Sequence, residues 1–403
     1  MMKKKDIVII SQFTQLPNQT GYGRFNYIAK KLAKQCEFSV EIVTSSFSHM
    51  QKKQKNIDSM TKVREYYTYT IIYEPGYKKN ISLKRILSHK RLSYNLKKYL
   101  NKRIKPDLIY CAIPSLDVAK VSMDFAKKNN IKFIIDVQDL WPEAYKMIFN
   151  PPLLGNIIYK PFEKKANYVY SNADDIIAVS QTYVDRVLKV NNKVKIGSCV
   201  YLGTDKYIFD KYISTTKYSE RDGILRVAYI GTLGSSYNIK LIIDCIKILN
   251  ENHKLDLQFY IIGEGPLKNK MKGYAKSKNV DCVFTGFLNY NEMIKVLSSC
   301  DIAVNPIIDG AAASIINKVG DYAAAGLPVI NTQKCIEYRD LVDKYKIGIN
   351  CFNDVDSVVK AIIRFINYPN LRLEYGKNNR LLFEQKFDRR RTYNDIIEVI
   401  KKY

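Results

Sequence analysis

Hydrophobic positions along this chain fall into short, unbroken runs rich in Val and Ile. Between the runs, apolar residues return at helical spacing. In the first half the runs are Asp6–Ser11, Ser39–Thr44, Leu108–Cys111, Phe133–Val137, Asp175–Val179 and Ser198–Leu202. In the second half they are Arg226–Ile230, Leu257–Ile262, Cys282–Thr285, Ile302–Asn305, Pro328–Asn331 and Gly348–Asn350. A run without polar alternation predicts a strand buried on both faces, which is the habit of parallel sheets covered by helices. The fold class is therefore α/β. The pattern restarts after the polar stretch Asp205–Gly223, at a strand closed by Tyr229-Ile230-Gly231-Thr232-Leu233-Gly234. Two doubly wound, Rossmann-like domains are expected, 1–203 and 204–385, facing each other across a cleft at the carboxyl ends of their strands. Leu371–Tyr403 is helical by period; its last part, 386–403, either stays on its own domain or crosses back to the first.

Composition narrows the class. At 403 residues, 46% hydrophobic and 26% charged, the chain is globular rather than disordered and long enough for two cores. No apolar run reaches the length of a membrane span, and Ile7-Val8-Ile9-Ile10 reads as a first strand rather than a signal segment. The eight cysteines form no C-x-x-C pair and the three histidines are scattered, which favours reduced, buried thiols in a cytoplasmic protein over a metal site or a disulfide framework. A net charge of +26 admits nucleic acid, an anionic membrane or a phosphorylated substrate as partner. Richness in Lys, Asn, Ile and Tyr is a blander source of part of that charge. The densest basic region is 78–105, where Leu83, Ile86, Leu87, Leu92, Leu96 and Leu100 recur at roughly helical spacing. A basic amphipathic helix suits an anionic membrane surface, although part of its apolar side must pack on the sheet. No nucleic-acid module accompanies it, so nucleic acid is not expected as a partner.

The chemistry is densest in Ser314-Ile315-Ile316-Asn317-Lys318-Val319-Gly320-Asp321-Tyr322, followed by small residues up to Gly326-Leu327-Pro328. Lys318 and Asp321 are spaced to share one helix face. A helix N-terminus and a cation suit phosphate, and a carboxylate one turn deeper suits the hydroxyls of a ribose. Glycine turns precede this segment at Gly231, at Gly263-Glu264-Gly265-Pro266 and at Gly286-Phe287-Leu288. Pro266 fits a first helical position. In the first half, Gly21-Tyr22-Gly23-Arg24 lacks the third glycine of a dinucleotide fingerprint. It serves either as a phosphate loop or as a plain strand–helix turn. Asp136-Val137-Gln138-Asp139-Leu140-Trp141-Pro142-Glu143 holds the sole tryptophan and three carboxylates at a strand end. Asp139 and Glu143 either orient an acceptor hydroxyl or act as a base; alternatively Asp139, like Asp136, caps the next helix.

In this order, these segments resemble retaining glycosyltransferase family 4 of the GT-B fold, in particular its bacterial capsule, exopolysaccharide and O-antigen members. The resemblance rests on Gly21 and Gly23, Asp139-Leu140-Trp141-Pro142-Glu143, Val200-Tyr201-Leu202-Gly203-Thr204-Asp205, the three second-half turns, and Asn317-Lys318 with Asp321-Tyr322 and Gly326-Leu327-Pro328. It implies that Asp321 binds ribose hydroxyls and that Ser314 to Lys318 meet the diphosphate and sugar. It implies that Phe287 and Leu288 meet the base, that Gly21 and Gly23 close on the phosphates, and that the last helix crosses back. The chain departs from the family at Ala313, where a glutamate is common. It departs again after Gly231-Thr232, where a cation pair is common and none occurs before Lys240. Charge neutralisation is expected to fall on Lys318, Arg24 and backbone amides. No catalytic histidine is carried over, because Gln138-Asp139 stands there.

The expected activity is metal-independent, retaining transfer of a sugar from a nucleoside diphosphate, UDP first, to a glycan acceptor. The acceptor is expected to be a lipid-diphosphate-linked oligosaccharide at the inner face of the cytoplasmic membrane, met by a peripheral protein. A nucleotide-sugar epimerase on the same fold and a non-catalytic basic binding protein are the competing readings. Hydrolysis or epimerisation of donor without acceptor would mark the former, and steeply salt-dependent DNA binding the latter.

Overall fold

The computed structural model describes residues 4–16, 23–55, 66–80, 82–148, 155–214, 217, 222–253, 255–311 and 314–403. The chain divides into two compact units, residues 1–200 with 393–403, and residues 201–392.

In the first unit the chain runs β1 (Lys5–Ile10), α1 (Arg24–Ala33), β2 (Phe38–Ser45), β3 (Phe47–Ser48), β4 (Lys53–Gln54), β5 (Thr68–Ile72), α2 (Leu83–Lys102), β6 (Leu108–Ile113) and α3 (Leu116–Asn129). It continues through β7 (Lys132–Val137), α4 (Glu143–Ile148), α5 (Gly155–Asn172), β8 (Asp175–Ala178), α6 (Gln181–Leu188) and β9 (Ser198–Cys199). Seven parallel strands lie in the order β5-β2-β1-β6-β7-β8-β9. Successive residues of a strand point to opposite faces. Ile7 and Ile9 meet Phe25, Ile28 and Leu32 of α1 on one face. Val8 and Ile10, on the other, are also buried, which is why the run is unbroken.

Two elements escaped the pattern. The edge strand β5, Thr-Tyr-Thr-Ile-Ile, pairs on one side only and keeps most of its residues partly exposed, so it lacks the apolar run of an inner strand. The small β3–β4 hairpin is too short to show a period. The run expected at Ser198–Leu202 pairs only over Ser198–Cys199.

The second unit contains α7 (Lys206–Tyr212), β10 (Leu225–Ile230), α8 (Ile239–Asn252), β11 (Leu257–Ile262), α9 (Lys268–Ser277), β12 (Cys282–Gly286), α10 (Tyr290–Ser298) and β13 (Ile302–Asn305). Then follow α11 (Lys318–Ala324), β14 (Val329–Asn331), α12 (Ile336–Lys344), β15 (Gly348–Asn350), α13 (Val355–Asn367) and α14 (Pro369–Leu382). Its six parallel strands lie in the order β12-β11-β10-β13-β14-β15, the doubly wound order with its switch point between β10 and β13. Two apolar clusters cover the sheet. One is built on Tyr229, Phe259 and Ile261 with α8 and α13, the other on Ala228, Ile230 and Ala303 with α11 and the Phe383–Phe387 turn.

The C-terminal stretch, expected as continuous helix, is interrupted. A π-helical turn, Phe383–Phe387, separates α14 from α15 (Arg389–Lys401). Thr204 brackets this turn, its N–H donating to Phe387 and its carbonyl accepting from the Arg389 N–H. Gly203 is a necessity there, since a Cβ would lie 2.2 Å from the Phe387 carbonyl oxygen. Beyond it, Ile396, Ile397 and Ile400 are buried in the core of the first unit. Each contributes about 1.5–3 kcal/mol by burial.

Candidate functional site

The glycine turns of the second unit gather at the carboxyl ends of β10, β11 and β12. Their first task is to pack on one another. The Gly231 N–H donates to Ile262, the Leu233 N–H to Glu264 and the Leu267 N–H back to Leu233. Gly263, at φ +145°, faces the Gly231 carbonyl so closely that a Cβ would lie 2.0 Å from its oxygen. Gly231 itself, at φ +128°, leaves the space that the Lys318 side chain fills. Thr232 is exposed, and its carbonyl accepts from the Tyr229 hydroxyl. The helix expected to begin at Pro266 begins at Lys268, behind a turn. Gly263→Ala is therefore expected to destabilise the protein by more than about 1 kcal/mol through strain and clash. Gly273→Ala is the control: it lies inside α9, its Cβ would meet nothing within 4 Å, and gain of helix propensity is expected to raise stability by about 0.5–1 kcal/mol. Urea unfolding of the two variants checks both signs.

Lys318 and Asp321 open and centre α11, but they face different partners. The Lys318 Nζ donates to the Tyr229 hydroxyl at 2.8 Å and lies over the rings of Tyr237 and Tyr229, 3.4 and 4.1 Å from their centroids. Burial pushes it down to about 6. Asp321 accepts from the Tyr290 hydroxyl at 2.8 Å, and Tyr290 in turn pairs with Thr204. Burial pushes the Asp321 carboxyl up to about 6, against the opposing pull of Tyr290, Arg389 and Thr204. No ion pair joins the two residues among the described ones. The helix start also differs from expectation. The N–H groups of Val319 and Gly320 already donate to Ile316 and Asn317, so fewer amides await an anion than an open helix terminus would offer. What fixes α11 is Tyr322, whose buried hydroxyl accepts from the Ile230 N–H and donates to the Val304 carbonyl.

Beside α11 lies a network that the sequence reading missed. Three strands end in asparagine, and the register sets Asn305 beside Asn331 and Asn331 beside Asn350. Their amides bond across the sheet, Asn305 Nδ2 to Asn331 Oδ1 and Asn331 Nδ2 to Asn350 Oδ1, both 2.9 Å. The buried Gln333 joins this ladder and donates 2.7 Å to the Ser314 carbonyl, holding the segment before α11. The repeated strand-final Asn was the available signal. Phe287, 79% exposed, and the partly buried Leu288 follow β12 on the same sheet end.

The first unit departs further from expectation. Gly21 lies outside the described residues. Gly23 caps α1 with extended backbone, and a Cβ there would meet only ordinary contacts. Arg24 is not a phosphate ligand. It is buried, with Nε 2.7 Å from Asp136 Oδ2 and Nη1 donating to the Val200 carbonyl. Asp136 caps no helix; it takes the Arg24 fork and the Tyr110 hydroxyl at 2.6 Å. Asp139 accepts from the Trp141 indole at 3.1 Å, and burial pushes its carboxyl upward. Glu143 opens α4 and pairs with Arg186 at 2.6 Å, its other oxygen buried without a partner. The basic region divides by face. Leu92, Leu96 and Leu100 pack inward, whereas Leu83 is 78% exposed and Ile86 and Leu87 stand out beside Lys84, Lys90 and Arg91. Arg85 and His89, which fall within this basic region, are buried.

Among the described residues, no group of three or more His, Cys, Asp or Glu side chains could hold a metal ion. Among them, too, no helix is long and apolar enough to cross a membrane.

Residues 214–382 match the family described as Glycosyl transferases group 1. An uncharacterized glycosyltransferase of Methanocaldococcus jannaschii is 20% identical over 245 residues, 58% of this chain and 60% of that protein; the match thus spans less than two thirds of this relative. Among solved structures, sucrose-phosphate synthase of Thermosynechococcus elongatus superposes with a TM-score of 0.71 at 15% identity, covering 99% of each chain. HepE of Anabaena, solved in complex with UDP-glucose, superposes with a TM-score of 0.68 at 13% identity, covering 99% of this chain and 100% of its own. WaaG, a glycosyltransferase involved in lipopolysaccharide biosynthesis, gives a TM-score of 0.65 at 12% identity, covering 95% of this chain and 96% of its own. Residues 214–382 thus carry a glycosyl transferases group 1 domain, set in a chain whose two Rossmann-like units give it the fold of the GT-B glycosyltransferases.

Proposed function

We propose that the protein is a retaining, metal-independent glycosyltransferase of family 4 that moves a sugar from a UDP-sugar to a lipid-diphosphate-linked glycan in surface polysaccharide synthesis. The observation that carries this reading is the Lys318–Asp321 helix at the switch-point end of the second sheet, within the group 1 domain. The UDP and UDP-glucose complexes of HepE support the choice of base. In this reading Asp321 exchanges part of its Tyr290 contact for ribose hydroxyls, and Phe287 and Leu288 border the base. Ser314 and the Gly231–Thr232 turn flank the diphosphate. Lys318, held largely neutral by burial in the free site, gains a proton as the diphosphate arrives. Its charge then stabilises the leaving UDP. The leaving phosphate takes the proton of the acceptor hydroxyl, so no strong enzymic base is required and positioning carries most of the rate. Asp139 and Glu143 orient the acceptor.

The exposed Leu83, Ile86 and Leu87 with their flanking cations support peripheral contact with the inner face of the cytoplasmic membrane through 78–105. The test is a donor screen with purified protein, vesicles carrying a prenyl-diphosphate-linked sugar, and EDTA. Sugar transfer from one UDP-sugar, undiminished by EDTA and with the anomeric configuration kept, is expected. Consumption of donor only by hydrolysis or epimerisation would overturn the reading.

A further inference from the structure

The first unit holds a basic–aromatic nest that the donor reading does not use. It lies where α2 passes the loops that follow β3 and β7. Arg85 and His89, one turn apart on the inner face of α2, are 9% and 4% exposed. The Arg85 guanidinium lies 4.7 Å from the Trp141 ring centroid and 5.3 Å from that of Tyr77. The His89 ring is stacked on Trp141, parallel within 3°. Lys52 lies over Tyr77 at 4.9 Å, and His49 Nδ1 is 3.2 Å from the Lys52 ammonium.

Two properties of this nest call for a ligand. First, its cations are not ion-paired, although Arg85 Nη1 donates to the Asn80 carbonyl at 2.8 Å and Lys52 Nζ to Asn80 Oδ1 at 2.5 Å. Among the described residues Arg85 and Lys52 have no carboxylate within ion-pair distance, although burying a guanidinium unpaired is costly. Two carboxylates border the nest without pairing these cations: Glu74 already accepts from Gln12, Ser45 and Ser88 and stays 4.0 Å from His89 Nε2, and Asp139 accepts from the Trp141 indole. The basic groups repel one another: after burial, their mutual charge is what lowers Lys52, His49 and His89. Second, Arg85 Nε and His89 Nε2 are both buried and make no hydrogen bond. A buried guanidinium N–H without an acceptor is rare in a settled core. Two orphaned nitrogens, with a partly exposed lysine at the rim, form a gap in the hydrogen bonding that an oxyanion would close.

We propose that Arg85, His89 and Lys52 form a phosphate-binding subsite in the first unit, which takes the phosphate or diphosphate of an ester whose apolar or sugar part lies against Trp141 and Tyr77. The same helix that lines the subsite from inside exposes Leu83, Ile86 and Leu87 outside, so a diphosphate carried on a membrane lipid meets the nest where α2 meets the surface. The inference stands on the first unit alone and survives if the donor assignment fails.

Trp141 is the sole tryptophan of the chain, so its emission reports the nest directly. Titration with inorganic diphosphate is expected to change that emission saturably. Arg85→Gln is expected to raise the midpoint by about tenfold or more, through loss of a charge-assisted bond, and to leave UDP affinity by calorimetry unchanged. Because Arg85 is buried and its variant can misfold, Lys52→Gln at the rim gives the second measurement, with a midpoint raised by about threefold or more. Farnesyl diphosphate separates the sources. Tighter binding than inorganic diphosphate assigns the site to a lipid ester and equal binding to a water-soluble phosphate, and both uphold the subsite. No saturable response to either probe, or midpoints unmoved in folded Arg85→Gln and Lys52→Gln, overturns it.

Discussion

Asp321→Ala is expected to weaken UDP binding by about ten- to a hundredfold, the worth of hydrogen bonds to a charged group. Lys318→Ala is expected to do the same to UDP and far less to uridine, which has no phosphate. The geometry makes the first variant diagnostic. In the free protein the Asp321 carboxylate is already tied to Tyr290, and Tyr290 to Thr204. If that tie were its only role, the variant would lower the melting temperature and leave UDP affinity intact, as calorimetry on the folded protein would show. Both groups also carry a sign in pH. Lys318 sits near 6 instead of 10.5, and a diphosphate favours its protonated form. UDP binding should therefore take up a proton above pH 6 and weaken as pH rises to 8, by up to about tenfold per unit. Lys318→Met should lose that part of the slope. For Asp321 the shift runs from 3.8 to about 6, so between these values the folded state holds a proton that the unfolded chain has released. Stability should fall as pH rises through that window, and Asp321→Asn should flatten the fall.

How much of this was legible in the sequence depended on whether a residue's neighbours lay close along the chain. Strands such as Ile7–Ile10 and Val227–Ile230 were visible because burial on both faces leaves no polar position in the run. β5 was not, because an edge strand is wet on one side. The Lys318 segment was visible as chemistry, since a cation and a carboxylate at helical spacing are a local pattern. Its partners were invisible: Tyr229 comes from β10, Tyr237 from the turn after it, Tyr290 from the start of α10 and Thr204 from the segment before α7. Arg24 shows the same limit from the other side. In sequence it follows a glycine pair and looks like a phosphate ligand. In space it points into the core toward Asp136, 112 positions later. Arg85 and His89 fall within the basic region 78–105, whose charge does not tell which of its polar side chains turn inward. Only the packing of Leu92, Leu96 and Leu100 shows which face turns inward.

The Arg24–Asp136 pair carries the largest stability effect expected here. Both side chains are almost fully buried, with Arg24 bonded to both carboxylate oxygens at 2.7 and 3.2 Å and to the Val200 carbonyl at 3.0 Å. Burial alone would lower the guanidinium; the charge of Asp136, with Tyr393 and Tyr110, holds it above its ordinary value. The Arg24 guanidinium is therefore charged at every accessible pH. Removing one partner leaves the other as an uncompensated ion in a low dielectric, so Asp136→Ala and Arg24→Ala are each expected to destabilise by about 3–5 kcal/mol. Against a typical total of about 5–15 kcal/mol, that is enough to leave the first unit marginal. Removing both charges should differ. Arg24→Met with Asp136→Leu keeps the volume and leaves no buried ion, so most of the loss should return. It should not all return, because the Tyr110 hydroxyl then lacks its acceptor and the Val200 carbonyl its donor, at about 1–3 kcal/mol each. Adding Tyr110→Phe removes the first of these two orphans and should recover a further share. Urea unfolding of the single, double and triple variants measures each step. A double variant no more stable than the singles would show that the site serves by its hydrogen bonds rather than by the balance of its charges.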